Sequence, residues 1–205
     1  MLSIAEKIDN LHKQTIDSEQ LIIINNISWQ IYENLLADLE HNSYLRITYL
    51  EGTLEIMSPS RRHEFIKTNI GRLLEAYFEE TRTRFYGLGS TTFRQETVAR
   101  GIEPDECYYI NCEKQVPDIA IEVVVTSGGI NSLEVYKGLQ VPEVWFWQDN
   151  YFSLYYLDNK HYQLVSNSRF FPQLNLSLLA DYVISPEPLD AVIEFRQRIR
   201  EQIQK

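Results

Sequence analysis

Ser28 precedes WQIYENLLADLEH, in which Trp29, Tyr32, Leu35, Leu36 and Leu39 recur every three or four residues. That spacing predicts a helix through about His41, capped by the Ser28 hydroxyl. The period then changes to two. YLRITYLEGTLEIMS alternates on both sides of Glu51-Gly52, which predicts a hairpin with a tight turn at that pair. The next stretch, SPSRRHEFIKTNIGRLLEAYFEETR, returns to helical spacing. Ser58-Pro59 or Ser60 starts a long amphipathic helix, with Ile66, Ile70, Leu73, Leu74, Tyr77 and Phe78 on its apolar face and a basic outer face. Residues 4–14 carry a weaker pattern for a short helix.

Beyond that long helix the chain reads as strands: TRFYGLGSTTFRQETV, DECYYI and DIAIEVVV. Gly128-Gly129 ends the last of them. INSLEVYKGLQ predicts a short helix on Ile130, Leu133 and Tyr136, stopped by Val141-Pro142, and EVWFWQ follows as a strand. FSLYYLDNKHYQLV predicts a hairpin turning at Asp158-Asn159. LSLLADYVI and LDAVIEFRQRIREQIQ close the chain as helices. A strand, a helix and a second apolar strand in succession have the shape of a βαβ unit on a buried sheet. The expectation is one α/β domain over residues 28–205, a mixed sheet flanked by helices, behind an N-terminal extension of residues 1–27.

Composition narrows the function classes. A chain of 205 residues with 44% hydrophobic content carries enough apolar surface for a substantial core. No apolar run approaches the roughly 20 residues of a bilayer-spanning helix. The first residues lack the apolar block of a secretory signal, so the expected location is the cytoplasm and no membrane partner is expected. Cys107 and Cys112 lie five apart, without C-x-x-C spacing or a flanking His, and read as ordinary thiols. The net charge of −10 argues against a protein that coats nucleic acid. Residues 61–100 reverse that locally: eight basic against five acidic residues make the window +3 and the remainder −13. Such a surface suits a phosphate backbone; a solvated helix face with i,i+4 ion pairs explains it equally well.

The strands carry acids where apolar residues are expected. Asp105 follows Pro104, Asp118 follows Pro117, and Glu122 lies in the middle of IAIEVVV. With a period of two, Asp118, Ala120, Glu122 and Val124 share a face. An ionised Glu inside a core strand is costly unless it is paired or binds a cation. Acids converging from neighbouring strands can hold a hard divalent cation through oxygen, and such a metal activates water against a phosphate. A partner Arg or Lys, or a solvent-facing sheet edge, would equally satisfy Glu122.

EPDECYYI, PDIAIEVVVTSGG and LEVYKGLQVPEVWFW, in that order, resemble the restriction endonuclease family called Uma-two, of the PD-(D/E)XK nuclease superfamily. The resemblance runs from about Ser28 to Leu157 and departs slightly at Gln140, where the family has Gly. It implies a restriction-endonuclease-like fold, a four- or five-stranded mixed sheet flanked by helices. It implies Mg²⁺ or Mn²⁺ as cofactor, DNA as partner and phosphodiester hydrolysis as the reaction. Carried over by position, Asp105 and Glu122 become metal ligands, with the carbonyl of Val123 as an extra one. His63, after MSPSRR, falls where the family often places a His at the start of its long helix. The lysine of the motif is missing: Val124 stands two residues after Glu122, and Ser132 stands where this family moves the lysine. Lys137, the nearest lysine, lies roughly 140° around the helix from Ser132. Three function classes follow. One is a metal-dependent nuclease using Asp105, Glu122, Lys137 and His63. Another is a nuclease fold kept as a nucleic-acid-binding or assembly module. The third is a homodimer through Val192, Ile193, Phe195, Ile199 and Ile203 of the last helix.

Overall fold

The hydroxyl of Ser28 accepts the Ile31 N–H at 3.3 Å and starts the first helix, as its position before the apolar stripe predicts. The computed structural model describes residues 18–39, 44–125 and 128–204. The short helix expected over residues 4–14, and His41 as the end of the first helix, lie outside them. In chain order the elements are β1 (Gln20–Ile24), α1 (Trp29–Asp38), β2 (Arg46–Leu50), β3 (Thr53–Ser58), α2 (Arg61–Glu80), β4 (Phe85–Gly87) and β5 (Phe93–Gln95). They continue with β6 (Arg100–Ile102), β7 (Glu106–Ile110), β8 (Ile119–Val123), α3 (Ser132–Leu139), β9 (Glu143–Gln148), β10 (Tyr151–Asp158), β11 (His161–Val165), α4 (Leu176–Val183) and α5 (Pro188–Ile203). The fold is α/β, with two sheets among the described residues where a single sheet was expected.

The elements fall into two compact units. The first takes the described residues of Met1–Glu64, Thr92–Glu103 and Val125–Leu139. Its sheet is wholly antiparallel, in the order β1-β3-β2-β6-β5. The β2–β3 hairpin turns at Glu51-Gly52, both with positive φ (46° and 89°), the conformation of a type I′ turn. Strand alternation gives this sheet two unlike faces. Leu45, Ile47, Tyr49, Leu54 and Ile56 pack with Tyr32 and Leu35 of α1 in an apolar core, where Tyr32 stacks on Tyr49 at 4.8 Å. Arg46 and Thr48, one residue out of phase, are buried polar groups. Helix α3 packs on β2, β5 and β6. Its buried residues are Val135, Tyr136 and Leu139; Ile130 precedes the helix and Leu133 is only partly covered, so the buried stripe is rotated from the expected one.

The second unit takes Phe65–Thr91, Pro104–Val124 and the described residues from Gln140. Its six-stranded sheet runs β11-β10-β9-β8-β7-β4 and is mixed, since β8 and β9 are parallel neighbours. The apolar stripe of α2, Ile66 through Phe78, is buried with Tyr108, Ile121, Val123, Trp145 and Trp147 of the strands and with Leu179 and Val183 of α4. Two hairpins follow. Asp149-Asn150 joins β9 to β10, and Asn159-Lys160 joins β10 to β11. The second turn falls one residue later than expected. Asp158 stays in the ladder opposite His161, and Asn159 and Lys160 take the two positive φ values a two-residue turn requires. Phe195 and Ile199 of α5 are buried in the unit's own core, whereas Ile193 and Ile203 are exposed. Arg200 and Arg196 on α5 clamp Glu80 of α2 at 2.7 and 2.9 Å and hold its carboxyl down at about 2.

Candidate functional site

The register of β7 against β8 pairs Glu106 with Ile121, Cys107 with Ala120 and Tyr108 with Ile119. One step further along the ladder, Asp105 falls opposite Glu122. Asp105 is 1% exposed, and its Oδ2 accepts the Val123 N–H at 2.8 Å, so a side chain closes the ladder where the β7 backbone stops pairing. The carbonyl of the same residue accepts the Ser90 hydroxyl at 3.2 Å. The Asp105 carboxylate and the Val123 peptide group thus meet at the C-terminal end of β8, where Glu122 falls in register opposite Asp105. Cys107 and Ala120 lie on the same face one pleat away. The Cys107 thiol is pushed up to about 12, chiefly by burial, and the carboxylates of Glu106 and Glu122 add to the effect. Cys107 is held as a thiol, a donor to the Gly89 carbonyl at 3.2 Å.

The donor set suits a hard cation. Mg²⁺ is commonly held by one or two carboxylates with water completing its shell, and Asp105, Glu122 and the Val123 carbonyl are all oxygen donors. Among the described residues no three His, Cys, Asp or Glu side chains converge tightly enough to cage a metal. The arrangement is a two-carboxylate one.

The remaining expected site residues belong to the first unit. His63 lies in the first turn of α2, wholly buried, its N–H donated to the Ser60 hydroxyl at 3.1 Å and its Nδ1 3.0 Å from Glu19 Oε2. Lys137 lies in the last turn of α3 and pairs with Glu134 on the preceding turn. Ser132 opens that helix, and Val124 follows β8, its N–H donated to the Trp147 carbonyl at 2.8 Å. The structure thus brings Asp105, Glu122 and Val123 together in the second unit and engages His63 and Lys137 within the first.

Asp118 has a different employment. Its Oδ2 accepts the Ile110 N–H at 2.7 Å, and both oxygens meet Lys114 Nζ at 2.6 Å. Two buried charges escaped the sequence reading. Glu143, at the start of β9, is fully buried and accepts Trp145 Nε1–H at 2.6 Å and the Arg169 N–H at 2.8 Å. Arg46 lies between Glu64 and Glu103 at 3.4 and 3.3 Å. Strand alternation was the signal for Arg46: in LRITYL it falls out of phase with Leu45, Ile47 and Tyr49. For Glu143 the signal was an acid directly preceding an apolar strand, as at Asp118.

Residues 29–187 match the model of the Uma2 family, described as "Putative restriction endonuclease". No curated protein matches the chain. The match covers most of the sequence, including both acids of the β7–β8 ladder, and the chain therefore belongs to the Uma2 family of restriction-endonuclease-like proteins.

Proposed function

We propose that this protein is a metal-dependent endonuclease that hydrolyses DNA phosphodiester bonds, with Asp105 and Glu122 as its metal-holding acids. The observation that carries the reading is the facing pair itself. Two acids oppose one another across a ladder step at the C-terminal end of a strand, the end at which α/β sheets bind ligands. Bound Mg²⁺ or Mn²⁺ would supply a Lewis acid that activates water and offsets phosphate charge. The chain's own residues position. The Val123 N–H fixes the Asp105 carboxylate, and the strand fixes Glu122, so little conformational freedom is lost when a cation is held. His63, buried against Glu19, orders the start of α2. Exposed Arg61, Arg62 and Arg72 along α2 offer cations to phosphates. Among the described residues no helix is long and apolar enough to cross a membrane.

A second reading, a nuclease fold that binds DNA without cutting it, is favoured by Val124 and Ser132 at the two lysine positions and by the sharing of Lys137 with Glu134. Plasmid cleavage with Mg²⁺ or Mn²⁺ separates the two. The first reading expects nicking by the wild type and a loss on the order of 100-fold in Asp105→Ala and Glu122→Ala. Equal activity in all three proteins points to a contaminant and sinks it. Salt-dependent DNA binding with no cleavage establishes the second.

A further inference from the structure

Strand β4 ends at Gly87, opposite Tyr108 of β7. The chain keeps following β7 by other means. The Leu88 N–H donates to the Cys107 carbonyl at 3.0 Å, so one further rung is built from backbone. Continued antiparallel pairing would bring Ser90 opposite Asp105. Gly89 turns the chain out of the extended conformation before that rung, with a left-handed φ of +55°. Side chains then replace the backbone. The Ser90 hydroxyl donates to the Asp105 carbonyl at 3.2 Å, and the Cys107 thiol donates to the Gly89 carbonyl at 3.2 Å. The Thr91 hydroxyl closes the loop on itself, donating to the Leu88 carbonyl at 2.7 Å.

Asp105 is thus held on both flanks of β7. On the β4 side its main-chain carbonyl takes the Ser90 hydroxyl, and on the β8 side its Oδ2 takes the Val123 N–H at 2.8 Å. The two bonds act on different parts of one residue. The first fixes the peptide group, and with it the direction of the Cα–Cβ bond. The second fixes the carboxyl at the end of that bond. Pro104 has no N–H, so the peptide directly before Asp105 offers no donor to a neighbouring strand. The wholly buried Cys107, two residues on and on the same face as Asp105, anchors the loop that carries Ser90.

We propose that Leu88–Thr91 is the positioning loop of Asp105: Cys107 anchors it, and Ser90 aims the carboxylate through the main-chain carbonyl. The consequence for metal binding rests on the reading of Asp105 and Glu122 as metal-holding acids. Loss of a group that orients a metal ligand weakens metal affinity by about 10- to 100-fold. Ser90 and Cys107 act through one loop, so their effects are coupled.

The test joins calorimetric titration of the full chain with Mn²⁺ to the Val123 amide signal in NMR spectra taken without metal. Ser90→Ala should weaken Mn²⁺ binding about tenfold. It should also move the Val123 signal toward its position in Asp105→Ala, where the acceptor is gone. Ser90→Thr, which keeps the hydroxyl, should restore both. Cys107→Ala should act in the same direction, and the double variant should lose little more than either single one. Ser168→Ala removes the buried acceptor of the Phe170 and Phe171 N–H groups and lowers stability elsewhere in the unit. It should move neither readout. An unmoved Val123 signal in Ser90→Ala overturns the proposal, whether or not metal binds. So does an equal response in Ser168→Ala, which would make the effect one of stability. A wild type that binds no Mn²⁺, with the Val123 signal moving as expected, sinks the metal reading alone and leaves Ser90 as the residue that positions Asp105.

Discussion

The two ends of strand β8 carry the same kind of residue in opposite circumstances. At its start, Asp118 meets an ammonium and a backbone amide, and Glu143, whose backbone donates to the Asp118 carbonyl at 3.1 Å, meets an indole and another amide. There each acid faces donors, and its charge is absorbed by the protein. At the far end, Asp105 accepts the Val123 N–H and falls in register opposite Glu122, so two acids share one step of the ladder. In the proposed site a cation held between the two would offset their like charge. A buried acid in a strand is therefore no sign of a site by itself. The groups around it decide what it does.

The comparison breaks most visibly if the two ends respond alike. Asp105→Asn and Glu122→Gln should each cut metal-dependent DNA cleavage on the order of 100-fold while leaving urea denaturation nearly unchanged. Asp118→Asn should leave cleavage within a few-fold of the wild type and lower the denaturation midpoint, because the Lys114 ion pair is lost. Cleavage lost equally in all three would erase the distinction between the ends.

Glu143 gives the next largest effect, on stability rather than activity. Glu143→Ala strands the buried Trp145 Nε1–H and removes the acceptor of the part-buried Arg169 N–H, and should cost about 2 kcal/mol. Glu143→Gln, which keeps an acceptor, should recover part of the loss. Equilibrium urea curves on the three proteins measure this directly.

How far the sequence disclosed these ends follows from what each depends on. The helical stripe of α2, the Ser28 cap and the Glu51-Gly52 turn were legible because each is a local arrangement of neighbouring residues. Asp105 and Glu122 were legible as a pair only through the family resemblance; their opposition is a matter of register, which no local pattern in DECYYI or DIAIEVVV sets. The division of strands between two sheets was hidden for the same reason. β6 is three residues long and contains Gly101, too little for a period to show. Glu143 and Arg46 were missed because a buried charge declares its role only through partners distant in sequence: Arg169 for Glu143, Glu103 for Arg46.

Between the two ends, on β7, Tyr108 is wholly buried among Phe78 and Phe85, and its hydroxyl has no hydrogen-bond partner among the described residues. Its phenol is pushed well up by burial, with the carboxylates of Glu106 and Glu75 adding to the effect, so it stays neutral. Unlike Asp118 and Glu143, this polar group contributes nothing to the ladder it sits in. Tyr108→Phe should stabilise the protein by about 1 kcal/mol, read as a rise in Tm. A loss of stability would reveal a partner for the hydroxyl and add Tyr108 to the groups that fasten the fold.

The smallest effect lies beside the fastening end. Gln140 follows the last residue of α3 with a φ of 60°, the left-handed conformation in which helices commonly end on glycine. The family resemblance places Gly at this position, and Gln holds the same backbone at the cost of crowding its Cβ. Gln140→Gly removes that strain but adds freedom to the unfolded chain and gives up the contacts of the Gln side chain. The strain is the larger of these, and a net gain of about 0.5 kcal/mol is expected, seen as a small rise in Tm. The substitution lies three residues before Glu143 and away from the Asp105–Glu122 step, so cleavage per folded molecule should not move. Should cleavage change with stability, the connection from α3 to β9 serves the acids at the far end of β8 as well, and the two ends are one system.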